Sequence, residues 1–190
     1  MWIHEGFTAY SENLYLDYHF GTKASSEYVV GTKANIQNDI PIIGPYDVNT
    51  SGSGDMYYKG ANMLHTLRQL IEDDDLWRKI LRGLNADFYH QTVTTKQIED
   101  YLSEKTGKDL TAFFNQFLRT TMIPKLEYKV EGDSITYRYV DVVADFDMPI
   151  RVFVEGKEHW LFPNSEWKTE KLNGANMVFD ENFYIETEKQ

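Results

Sequence analysis

Apolar side chains recur every three or four positions from Ile3 to Phe20 (Ile3, Phe7, Tyr10, Leu14, Tyr18). That is the repeat of a helix with one inward face, and Gly21 supplies its stop. A second helix fits Ser25 to Asn38, capped by Ser25 or Ser26 and closed off by Pro41. The Gly and Pro content of residues 41–47 and of Ser51-Gly-Ser-Gly-Asp55 predicts loop. Asp55 is placed to cap a third helix with Gly60, Leu64, Leu67 and Ile71 on one stripe. The Asp73-Asp-Asp75 cluster suits the start of a fourth, with Leu76, Ile80, Leu81 and Leu84 inward. Thr94 or Thr95 opens a fifth carrying Ile98, Tyr101 and Leu102. Gly107 ends it, and Asp109 caps a sixth with Leu110, Phe113, Phe114 and Phe117.

After Pro124 the period changes to two. Leu126–Val130 and Ser134–Val140 around Glu131-Gly-Asp133 carry a β-hairpin signature. Further strands fit Ile150–Val154, His159–Phe162, Trp167–Lys171 and Phe183–Glu186. The predicted fold class is α+β: a helical part, residues 1–124, followed by a small antiparallel β domain of sandwich or half-barrel type, residues 125–190. No internal repeat is visible.

Composition narrows the function. Nineteen basic against thirty acidic residues give a net charge of −11, which argues against a nucleic-acid partner, because phosphate contacts need a basic face. No stretch approaches the roughly 20 apolar residues of a membrane span, and no charged-then-apolar leader is visible. The absence of Cys removes disulfides, thiolate metal sites and a cysteine nucleophile, without fixing a compartment.

Local motifs for a complete catalytic centre are missing. His4, His19, His65, His90 and His159 form no H-E-x-x-H. Ser51-Gly-Ser-Gly-Asp55 lacks the Lys of a phosphate loop, and there is no G-x-S-x-G. A carboxylate pair is present: Glu5 and Glu12, two turns apart, fall on nearly the same helix face, with Thr8 and Ala9 between them. A solvated face would give the same spacing. Gly6 adds something, because a mid-helix Gly costs about 1 kcal/mol relative to Ala. Something is expected to approach the backbone there.

Trp2-Ile-His-Glu-Gly-Phe-Thr-Ala-Tyr-Ser-Glu12 resembles the W-L-x-E-G-F-A-x-Y-x-E segment of zinc aminopeptidases of the aminopeptidase N and leukotriene-hydrolase type, the gluzincin metallopeptidases. Tyr57-Tyr-Lys-Gly-Ala61 resembles that family's Y-E-K-G-A, in the right order and at a helix start. Phe113-Phe-Asn-Gln116 is a weaker likeness to its F-F-x-Q-W, with Phe117 in place of Trp. The resemblance covers about residues 1–125, and the β part by position only.

What the resemblance implies is specific. Glu5 becomes a zinc ligand and Tyr57 the catalytic tyrosine, donating to the oxyanion of the tetrahedral intermediate. Glu12 is a weaker candidate for a supporting role behind the ligand, or a structural one. Tyr58 is expected to pack or to face the cleft, His4 to lie near the site or on the surface, and Lys59 to pair with a carboxylate. The family's H-E-x-x-H, with two His ligands and the general base, belongs upstream of Glu5, as does its Gly-x-Met-Glu-Asn segment for the substrate amino group. Neither is in this sequence, so the expectation is a C-terminal portion of an enzyme that binds Zn²⁺ when complete and cleaves N-terminal residues from peptides. This chain alone is then expected to be inactive and zinc-free, and surface exposed by truncation offers a route to self-association. The alternative is a non-catalytic module that binds peptide or carbohydrate. Exposure of both Trp160 and Trp167 would favour it, and burial of both would weaken it.

Overall fold

Helices fill the chain up to Arg119 and strands begin at Lys125, in a computed structural model that describes residues 1–48, 50–172, 174 and 176–190. Only Gly21 separates α1 (Trp2–Phe20) from α2 (Thr22–Gly31). Its φ of 87° and ψ of 166° are open essentially to glycine, and they let α2 fold back antiparallel to α1. A 3₁₀ turn, Thr32–Asn35, follows. The second helix therefore starts and ends earlier than its pattern predicts. Gly21 releases the chain early, and the Asp55 carboxylate takes the Gln37 and Asn38 amides at 2.9 and 2.6 Å.

That use of Asp55 corrects its expected role as a helix cap. A 3₁₀ turn, Gly54–Met56, leads into α3 (Tyr58–Ile71), and Ser53 Oγ accepts the Asp55 amide at 3.1 Å. Every residue of α3 from Lys59 to Arg68 is buried, so this is the central helix rather than one with a single inward stripe. Around it pack α1, α2, α4 (Asp74–Asp87) and α6 (Thr111–Arg119), with α5 (Thr95–Thr106) beside α4.

Side-chain caps open two further helices: Asp73 accepts from the Leu76 amide at 2.8 Å, and Thr94 and Gln97 form a reciprocal capping box. The expected cap of α6 needs correcting: its N-cap is Leu110 with no side-chain bond, and Asp109, one residue earlier, accepts from the Thr111 amide at 2.9 Å. The stripe of α1 needs correcting. Its buried residues are Trp2, Gly6, Ala9, Tyr10 and Asn13, while Ile3, Phe7 and Leu14 are half-buried and Tyr18 is exposed. Small residues face α3 because the two helices approach closely.

Among the described residues seven strands make two sheets. In the first the order is β5 (Lys168–Lys171), β2 (Ser134–Val140), β1 (Lys125–Glu131), β7 (Glu186–Lys189); in the second it is β4 (Lys157–Leu161), β3 (Ile150–Val154), β6 (Met177–Phe179). All pairs are antiparallel except β1 with β7, which run parallel with Lys125 opposite Glu186. Alternation puts Ile135, Tyr137 and Tyr139 of β2, and Ile150, Val152 and Val154 of β3, into the core.

The predicted Phe183–Glu186 strand is displaced. Phe183 and Tyr184 are buried, yet their backbones bond to helices instead of a ladder: Lys33 Nζ donates to the Phe183 carbonyl at 2.9 Å, and the Tyr184 amide donates to Thr66 Oγ1 at 3.0 Å. Gln116 of α6 is the second tie. Its side chain donates to the Met122 and Asp141 carbonyls, both at 3.0 Å, and accepts from the Val143 amide at 2.7 Å. Apolar packing is continuous across the join, from Trp2 through Phe117 to Phe146 and Leu161.

Candidate active site

Helices α1 and α3 approach closely at Gly6. A Cβ there would stand 3.2 Å from the Met56 carbonyl oxygen and 3.5 Å from the Gly60 Cα. The neighbour expected from the cost of a mid-helix glycine is thus another stretch of backbone, that of Met56 and Gly60. Glu5 precedes the first glycine, and Tyr57 lies between the two residues it meets. The crossing consequently brings Glu5 and Tyr57 together, although one is on the first helix and the other opens the third.

Tyr57 is 42% exposed and half in the helix: its carbonyl accepts from the Ala61 amide at 2.8 Å. The nearby Glu5 charge above all, with some loss of solvent, raises the Tyr57 pKa above its ordinary value. The hydroxyl therefore stays protonated through neutral pH and remains a donor. Glu5 itself is half-buried, and His4 beside it is exposed.

Lys59 departs from expectation. It is fully buried, and Nζ donates to the Thr120 carbonyl at 2.9 Å instead of pairing with a carboxylate. Burial lowers its pKa to about 8, opposed by the nearby Asp55 charge. Sequence reasoning missed this anchor, which pins the start of α3 to the end of α6. The Lys of the Y-x-K-G segment was the available signal, but its partner is a backbone atom and has no side-chain signature.

Glu12 sits apart from Glu5 and Tyr57, where it accepts from the Tyr28 hydroxyl of α2. That bond is the main reason the Tyr28 pKa rises to about 12. Tyr58 is half-buried, near Tyr28. His65 is committed elsewhere: Nδ1 accepts from Asn13 Nδ2 at 3.2 Å and Nε2 donates to Asn182 Oδ1 at 2.8 Å. Burial drives its pKa down to about 4, so it is neutral. Among the described residues no three His, Asp or Glu side chains gather as a metal site. The donor set of a zinc peptidase is therefore not met by these residues alone, since such a site takes three protein ligands.

The tryptophans divide. Trp160 is half-buried against Phe183, with ring centroids 5.8 Å apart, while Trp167 is 42% exposed with Arg138 over its ring at 4.6 Å.

Residues 1–117 match the peptidase family M1 domain, a span that holds both glycines, Glu5 and Tyr57 and ends within α6. The chain belongs to peptidase family M1. Two curated relatives are similar in sequence. "Probable aminopeptidase 1" of Sulfurisphaera tokodaii is 23% identical over 141 residues, 70% of this chain and 18% of that protein. Aminopeptidase N of Lactococcus lactis subsp. lactis is 30% identical over 96 residues, 48% of this chain and 11% of that protein. Among solved structures, Legionella pneumophila aminopeptidase A in complex with aspartic acid superposes with a TM-score of 0.67 over 98% of this chain and 24% of that one. At 12% identity that likeness shows the fold alone: the α+β arrangement of this M1 chain, with helices first and antiparallel-rich sheets after. The chain spans a quarter or less of each of these proteins.

Proposed function

We propose that this M1 chain forms part of a zinc-dependent aminopeptidase that removes N-terminal residues from peptides. In this reading Glu5 gives one metal ligand, and an H-E-x-x-H segment outside this sequence gives the others with the general base. Residues 1–124 are then the helical portion of a catalytic domain, and residues 125–190 a β domain joined to it. Zinc in such a site polarises the scissile carbonyl and acidifies a bound water.

Tyr57 acts through its own hydroxyl. As an amide carbonyl becomes tetrahedral its oxygen gains charge, and a protonated phenol fixed at a helix start can donate to it. A donor of this kind contributes about 3 kcal/mol to the transition state. The raised pKa suits the role, because a deprotonated phenolate would repel the oxyanion. One observation carries the reading: a carboxylate and a phenol far apart in sequence meet at the α1–α3 crossing, within the part of the chain that matches the family. Glu12, bonded to Tyr28, has no part in holding Glu5 in this scheme.

The test is reconstitution. The 190-residue chain is assayed alone, and again when joined behind an H-E-x-x-H-bearing segment of the family. The account expects no stoichiometric zinc and no cleavage of aminoacyl nitroanilides from the first, and zinc-dependent cleavage from the second. One tightly held zinc per chain in the first would overturn it.

A further inference from the structure

Glu12 stands about 10 Å from Glu5 along the helix axis, at 1.5 Å per residue, in surroundings of a different kind. It is exposed, and with Ser11, Tyr15, Leu16 and Tyr28 it lines a depression of about 420 Å³. None of those five residues is basic. The Tyr28 hydroxyl occupies Oε2 of the carboxylate, and none of the described side-chain hydrogen bonds or ion pairs uses Oε1. Tyr15 rests one side on His19, centroids 4.3 Å apart, yet keeps 59% of its surface exposed.

The chemistry of that depression selects by charge. An anion would meet Glu12 in a chain already at −11. A purely apolar group would strip water from the carboxylate without replacing its hydrogen bonds. A cation gains twice, through a charge-assisted bond to the carboxylate and through the faces of the tyrosine rings. A guanidinium suits both, being planar enough to stack on a ring while its N–H groups donate outward, in its own plane, to the carboxylate. We infer that the Glu12–Tyr28 depression is a subsite for a basic side chain, arginine above all, of the peptide that lies at Glu5 and Tyr57.

Spacing sets which residue that would be. An extended peptide advances about 3.3–3.6 Å per residue, so a side chain reaching Glu12 belongs about two or three positions from the bond at Tyr57. This placement rests on the aminopeptidase reading; recognition of the guanidinium does not.

The experiment uses the chain itself and needs no hydrolysis. Isotope-labelled protein is titrated with Nα-acetyl-arginine methylamide, and in parallel with the norleucine and glutamate analogues, while amide and tyrosine ring resonances are followed. The arginine compound is expected to shift Ser11, Glu12, Tyr15 and Tyr28 saturably at millimolar concentration, with neither analogue doing so. Glu12→Gln should weaken that binding about fivefold or more, whereas Asp100→Asn, the same charge change on remote α5, should leave it unchanged. Equal shifts with norleucine, no shift at these residues, or binding indifferent to Glu12→Gln would each overturn the subsite. Such a failure would leave a zinc-dependent peptidase standing, and an inactive reconstituted enzyme would leave a positive titration standing.

Discussion

Gly6 of α1 and Gly60 of α3 meet backbone to backbone: a methyl group added to Gly60 would lie 3.1 Å from the Gly6 Cα. Backbone atoms cannot swing aside, so any side chain here has to push two helices apart. That contact is what sets the distance between Glu5 and Tyr57.

Gly60→Ala should therefore destabilise the protein by about 1–3 kcal/mol through overpacking, although alanine is the better helix former. Gly31→Ala is the contrast, because nothing lies within 4 Å of a Cβ at that helical position. It should stabilise by up to about 1 kcal/mol. Urea unfolding midpoints of the two variants check this, and two equal effects would remove the crossing from the account. In Gly60→Ala the Tyr57 phenol should also titrate nearer its ordinary value, as Glu5 recedes.

Protonation of His65 should govern stability on the acid side. Its native pKa of about 4 lies below the ordinary 6.5, so the unfolded chain binds the extra proton first. Stability is then fully present above pH 6.5 and falls as pH drops from 6.5 towards 4, by about 3 kcal/mol in all. His65→Gln should flatten that slope in urea titrations at pH 7 and 5. An unchanged slope would mean another group is responsible.

Gln116→Ala tests the tie between helices and strands. Three hydrogen bonds at a fully buried amide are lost, leaving two carbonyls and one N–H without partners, at a cost of about 1–3 kcal/mol or more. Hydrogen exchange should quicken at Val143 and around the start of β1. Exchange that quickened uniformly across α3 and α4 as well would show a general loss of stability instead.

Elements with strong periods were legible in the sequence, from the six helices to the hairpin of β1 and β2, whose turn is made by Gly132 at φ 62°. Long-range choices were not. Asp55 looks like a cap from its position, yet its carboxylate serves two amides that precede it in the chain. Phe183 and Tyr184 have the pattern of a strand, but Lys33 and Thr66 take their backbone groups. Met177–Phe179 was too short to stand out beside its neighbours. At the candidate site, Glu5 and Tyr57 were singled out by motif and Gly6 by its energetic oddity. The Glu12–Tyr28 bond had no signal, since nothing in the spacing of α1 says which side chain of α2 will lie opposite.

The central claim is that Tyr57 donates to an oxyanion while Glu5 holds a metal, and kinetics of three variants in a zinc-loaded, H-E-x-x-H-bearing polypeptide test it most directly. Tyr57→Phe should lower kcat about 100-fold or more with KM and zinc content little changed, because the donor acts only in the transition state. Tyr58→Phe should keep most activity, and Glu5→Gln should lose zinc. A dead Tyr58→Phe, or a Tyr57→Phe that altered KM alone, would contradict the account.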